Sequence, residues 1–139
     1  MNSIDRVKAA INGENIDRLP MGFWYHFDPA TYGSIEDTVK VHEAYFNETQ
    51  MDILKIMNEN LFPYDVKIEK PSDFRRIETP TAKSKFIVQQ KETVKRIVDK
   101  LGDKAFLLMT LHGTMASAWH ARGGSDGYSE GSFLLPKNI

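Results

Sequence analysis

Apolar side chains recur at helical spacing in three stretches of the chain, and near-continuous apolar runs separate them. Ile4, Val7 and Ile11 share one face between Ser3, a residue suited to an N-cap, and Gly13, a natural C-terminal stop, which predicts a short leading helix. Pro20 is tolerated only at the start of a strand, so Met21–Phe27 reads as a first strand that opens into Asp28, Pro29 and Gly33. Ser34 with Asp37 three residues on forms a box-like cap for a second helix that carries Ile35, Val39, His42 and Phe46 on one face and ends near Gln50. The near-continuous apolar run Met51–Met57, with Lys55 its odd member, predicts a strand covered on both faces, as parallel strands are. Residues 58–83 contain Pro63, Pro71 and Pro80 and read as loops and short extended pieces. Ile87, Val94, Ile97, Val98 and Leu101 then mark a third helix from Ser84 to Gly102, and Ala105–Leu111 a third strand. Beyond it, 113–139 holds five glycines and little periodicity apart from Ser117–Ala121. Helices that alternate with apolar strands predict α/β architecture with right-handed crossovers between parallel strands.

Composition narrows the class. With 139 residues, 41% hydrophobic and 27% charged, the chain can bury a core, and no repeat or linker marks a second domain. A net charge of -1 with interspersed signs gives no basic face for nucleic acid or anionic lipid. The absence of cysteine removes disulfides and thiolate metal sites from this chain. The sequence offers neither a membrane-length apolar run nor a signal-peptide core, so the expected address is the cytoplasm and the expected partner a small molecule.

Three segments carry a family likeness: RVKAAINGENIDRLPMGFW at 6–24, DILKIMNENLFPYD at 52–65 and LHGTMASAWHARGG at 111–124. Together they resemble the uroporphyrinogen decarboxylase superfamily, whose members open with a helix, an acidic turn and an Asp-Arg-x-Pro sequence, here Asp17, Arg18, Leu19 and Pro20. The resemblance implies a TIM (β/α)8 barrel, of which 1–139 is a single incomplete segment: a leading helix and about three βα units. It also implies open sheet edges that self-associate, and an enzyme in the full-length protein with the short chain inactive by itself. The family includes the decarboxylase of porphyrin biosynthesis, a lyase, and corrinoid-linked methyltransferases that bind zinc. Zinc or a corrinoid is therefore an expectation for the full-length protein, and none for this chain, which lacks cysteine. Where the decarboxylase carries two arginines after its first strand, this chain has Tyr25, His26, Phe27, Asp28 and Pro29. Where it carries a catalytic aspartate after its second strand, this chain has Asn58 followed by Glu59. A substrate with many carboxylates needs cations that these replacements do not provide, which favours a methyltransferase-like or unassigned member over genuine decarboxylation. A non-catalytic assembly module is the reading from another class.

In such barrels the C-terminal strand ends line the active-site mouth. His26, Asn58 and His112 stand there as the catalytic candidates, an imidazole near each end of the set and a hydrogen-bonding amide between them. Trp24, Tyr25, Asp28, Glu59 and Gly113 are the substrate-binding candidates, and no metal ligand is assigned. By strand period Gly22, Trp24 and His26 share one face, and Phe23, Tyr25 and Phe27 the other. His42, on an apolar helix face, reads as a hydrogen-bonded core histidine, and Lys55 as a charge partner for Asp or Glu in the barrel or, in the favoured reading, a side chain that extends outward from its strand.

Overall fold

The computed structural model describes residues 1–58 and 66–121, with side chains up to residue 118. Its backbone groups into two compact units, Met1–Leu61 with Ala82–Thr110, and Phe62–Thr81 with Leu111–Ile139.

The first unit contains α1 (Ser3–Asn12), α2 (Ile35–Thr49), β1 (Ile53–Ile56), α3 (Lys85–Leu101) and β2 (Phe106–Met109). β1 and β2 pair in parallel, Ile53 opposite Phe106 and Ile56 opposite Met109, so α3 lies in a β-α-β crossover. The helix ends follow local chemistry. The Ser34 side chain accepts the Asp37 N–H at the start of α2, and Gln50 closes that helix in the left-handed region at φ 50°. Gly13 closes α1 at φ 71°, while Asn2 rather than Ser3 caps its start, because the Asn2 side chain accepts the Asp5 N–H. Leu54 and Ile56 point from β1 into a core formed with Val39 and Phe46 of α2 and Ile97 and Leu101 of α3. Burial of each such side chain contributes about 1.5–3 kcal/mol.

The predicted first strand is corrected. Met21–Phe27 makes no ladder, although it lies beside β1: the Met21 carbonyl accepts N–H bonds from both Asp52 (2.9 Å) and Ile53 (3.0 Å). The Met21 N–H donates to Asp52 Oδ2 at 2.9 Å and the Phe23 N–H to Met51 Sδ at 3.1 Å. Side-chain acceptors have replaced the carbonyls that a neighbouring strand would offer, so pairing ends after one residue. The described residues thus hold a mixed α/β arrangement with a two-stranded parallel sheet.

In the second unit, a 3-10 turn at Pro71–Arg76 is held by Asp73, whose Oδ2 accepts the N–H groups of Glu69 and Lys70. Those two bonds lower its pKa. α4 (Thr114–Ala121) follows, with the Ser117 N–H bonded to the Gly113 carbonyl. Among the described residues no helix is long and apolar enough to cross a membrane.

Candidate functional site

The N-terminal end of the sheet holds a charge network. Asp52, fully buried just before β1, accepts from Arg6 Nη1, from Arg18 Nη1 and Nη2, and from the Met21 N–H. Arg6 also donates from Nε to Asp17 Oδ1 at 2.6 Å and from Nη2 to Asp17 Oδ2 at 2.8 Å. Burial by itself raises the Asp52 pKa, yet the bonds from Arg18, the Met21 N–H, Ser3 and Arg6 outweigh it and lower the value to about 2. The Arg6 bond likewise lowers Asp17, and the Asp17 bond raises Arg6 further above the ordinary guanidinium range. With every member paired, this cluster joins α1 and the turn at 17–21 to the start of β1; its work is structural. The Asp17-Arg18 pair thereby acquires a physical role. Asp52 was not singled out from sequence, although a carboxylate inside an apolar run signals a buried charge with partners.

The opposite end and the second face of the sheet are different. α2 and α3 cover the face of Leu54 and Ile56, whereas Lys55 and its register partner Leu108 lie on the other, where Leu108 is 51% exposed. The extended segment 21–27 divides its side chains between the two sides. Tyr25 stacks on Tyr45 with ring centroids 5.4 Å apart, and Phe27 meets His42 edge-on at 4.8 Å, so both pack towards α2. Trp24 and His26 pair with each other at 5.6 Å, and Lys55 Nζ sits 3.1 Å from the Trp24 ring centroid, a cation over an aromatic face. Lys55 therefore does not extend away from the sheet; it covers the indole.

These positions sort the candidates. Trp24 and His26, both exposed, come together with Lys55 on the side of the sheet turned away from the α2 and α3 core. Tyr25, which the strand period set on the face opposite Trp24, packs on the α2 side, where it walls a shallow cleft with Tyr45 and Glu48. The Asp28 carboxylate accepts the Ala30 N–H and starts the 3-10 turn Pro29–Tyr32, which gives it a local structural task. Asn58 follows β1 at the C-terminal end, and its Oδ1 is buried with no hydrogen-bond partner among the described residues. Glu59 lies outside the described residues. His112 and Gly113 belong to the second unit, exposed in the turn before α4, and a methyl group at Gly113 would meet open space.

His42 is a core histidine, as its helix face suggested. It is 0% exposed; its Nδ1 bonds the Thr38 carbonyl at 2.7 Å and its Nε2 accepts the Met57 N–H at 3.1 Å. Those partners require the neutral Nδ1–H tautomer, and burial lowers its pKa. It anchors the end of β1 to α2 and has no nitrogen left for catalysis.

Zinc would need three or four converging ligands. Among the described residues no three His, Cys, Asp or Glu side chains form such a group. The side chains on the Lys55 face are an indole plane, an ammonium and an imidazole, with the Asn58 amide at the end of β1. That set can hold a planar anion and place a proton donor or acceptor beside it. Comparison of the chain with protein-family models, with curated proteins and with solved structures finds no match in any of the three.

Proposed function

We propose that the chain is the N-terminal segment of a barrel enzyme of the uroporphyrinogen decarboxylase type, methyltransferase-like in chemistry, that acts on a tetrapyrrole- or corrinoid-linked or methyl-donor small molecule. The observation that carries the reading is the cluster on the sheet face turned away from the α2 and α3 core, with Lys55 of β1 over Trp24 and His26 beside it. In an α/β barrel that face is the interior and its C-terminal rim the active site. Trp24 supplies a stacking plane, Lys55 a positive charge, His26 a proton donor or acceptor, and Asn58 an amide at the rim.

The distribution of cations favours this branch over genuine decarboxylation. Arg6 and Arg18 are engaged with Asp17 and Asp52 at the far end of the sheet, and Arg96 pairs with Glu92 on the outer face of α3. Within this unit no arginine accompanies Lys55 to meet a polycarboxylate. The test is an assay of the full-length protein with methylcobalamin and a thiol acceptor, and separately with uroporphyrinogen. Methyl transfer that falls at least tenfold in His26→Ala supports the reading. An unchanged rate in that variant removes His26 from the mechanism, uroporphyrinogen turnover restores the decarboxylase alternative, and no turnover of either substrate overturns both.

Exposed Leu108 favours a second reading, an assembly module in which the open sheet face meets a second copy of the chain.

A further inference from the structure

One stripe of α2 lies outside the core. Asp37, Val41, Ala44 and Glu48 follow at i, i+4, i+7 and i+11, a single line over three turns, and line two shallow clefts of the first unit. The first cleft, of about 440 Å³, is bounded by Asp28, Thr31 and Asp37, and the second, of about 380 Å³, by Tyr25, Tyr45 and Glu48. Val41 and Ala44 line both, so the two are continuous as one groove along the helix. From Asp37 to Glu48 the helix rises about 16 Å.

The groove is negative at both ends. Glu36 and Glu43 of the same helix pair with Lys40 and Lys100, and Glu92 of α3 pairs with Arg96. Glu48 instead stands exposed at the groove's end, with no ion pair among the described residues. At the other end Asp28 accepts the Ala30 N–H on Oδ1 and Asp37 accepts the Ser34 hydroxyl on Oδ2, which leaves each a second oxygen. Lys40 also lines this end, but its ammonium lies 2.8 Å from Glu36 Oε1. Tyr25, 55% exposed, keeps free the ring face that is not stacked on Tyr45, and Phe27 meets its ring edge-on at 5.5 Å. Carboxylates three turns apart, a floor of small apolar side chains and an exposed aromatic face complement an aliphatic chain with ammonium groups at both ends.

We propose that this groove binds a linear aliphatic polyamine, with one terminal ammonium at Asp28 and Asp37, the methylene chain over Val41 and Ala44, and the other terminal ammonium between Glu48 and Tyr25. The site lies on the α2 side of residues 21–27, away from Lys55, and stands independently of the methyl-transfer reading. It gives Tyr25 and Asp28, marked from sequence as substrate binders, a ligand of opposite charge to one held by Lys55. Each exposed charge contact is weak alone, so affinity comes from the linkage of two ends through one chain. A floor one stripe wide suits an unbranched chain rather than a folded surface.

The test titrates the 139-residue chain with spermine, with 1,4-diaminobutane and with magnesium chloride at constant ionic strength, followed by backbone amide NMR shifts. Spermine should bind about tenfold more tightly than the diamine, which reaches only one end, with shifts confined to 25–31 and 37–49. Glu48→Gln and Tyr25→Ala should each weaken spermine about three- to tenfold. Asp99→Asn on α3, which removes the same charge elsewhere, should leave the affinity unchanged. Glu48 is exposed, so Glu48→Gln keeps the fold whatever Tyr25→Ala does to it. Equal losses in Glu48→Gln and Asp99→Asn, or magnesium binding that matches spermine, mean diffuse charge attraction and overturn the site. Shifts centred on 53–56 and 106–109, or no binding of spermine, overturn it as well. A tetralysine peptide that binds more tightly than spermine gives the groove to a basic segment of a partner, and concentration-dependent shifts at 37–48 without ligand give it to a second copy of the chain; either result overturns the polyamine.

Discussion

Single residues in this protein divide by whether their polar atoms are satisfied within the chain. His42 and Asp52 are both fully buried and fully bonded, and both titrate out of their ordinary ranges because of it. The folded state holds the His42 imidazole neutral, with a pKa below the ordinary 6.5. Its contribution to stability is therefore complete above that value and declines as pH falls below it, when the unfolded chain binds the proton more readily. Thermal melts between pH 8 and 5 should show a decline that His42→Asn flattens, with a loss of about 1–3 kcal/mol at pH 8. The stability supplied by Asp52 is present above the ordinary 3.8 and is lost as pH falls towards about 2, a separate acid limb. Asp52→Ala leaves the Arg6 guanidinium buried beside one carboxylate instead of two, and denaturant titration at neutral pH should register a loss of about 3 kcal/mol.

Elements are set by short-range chemistry at their ends and by close approach where they meet. The helix boundaries at Gly13, Ser34 and Gln50 were legible because capping involves a residue and its neighbours within a turn. The fate of Met21–Phe27 was not, since its apolar content suits a strand while its partners are the Asp52 carboxylate and the Met51 sulfur, some thirty positions away in the chain. Gly22 marks how tightly this segment meets β1: a Cβ there would lie 2.8 Å from Ile53 Cβ and 3.0 Å from the Ile53 carbonyl oxygen. Gly22→Ala must push the segment off the strand, at a cost of about 1–3 kcal/mol. A lower denaturation midpoint, together with a shift in Trp24 fluorescence as the indole leaves Lys55, is the expected signature.

The first unit is built on a parallel sheet whose one face packs against α2 and α3, while Leu108 on the other is 51% exposed. Parallel sheets are normally covered on both faces, and exposed sheet surface invites association. Light scattering on the chain should find concentration-dependent association, and Leu108→Lys, which places a charge at the centre of the open face, should reduce it without lowering the melting temperature by more than about 2 °C. A monodisperse monomer in both cases would remove the assembly-module reading.

The sequence by itself determined three helices, the two strands that pair, the boundaries at Gly13, Ser34 and Gln50 and the apolar helix positions Val39, Phe46, Ile97 and Leu101, because these follow from periodicity and from interactions within a few residues. It also identified His42 as a structural histidine, since its place on an apolar helix face is a local property. Only the tertiary structure brought Lys55 over the indole, stacked Tyr25 on Tyr45, tied Arg6 and Arg18 to Asp52 and left the oxygens of Asn58 and Thr110 without partners among the described residues. Each of these depends on which distant groups approach a side chain, and on which do not. Hydrogen bonding and burial are satisfied over distances in space that spacing along the chain does not encode.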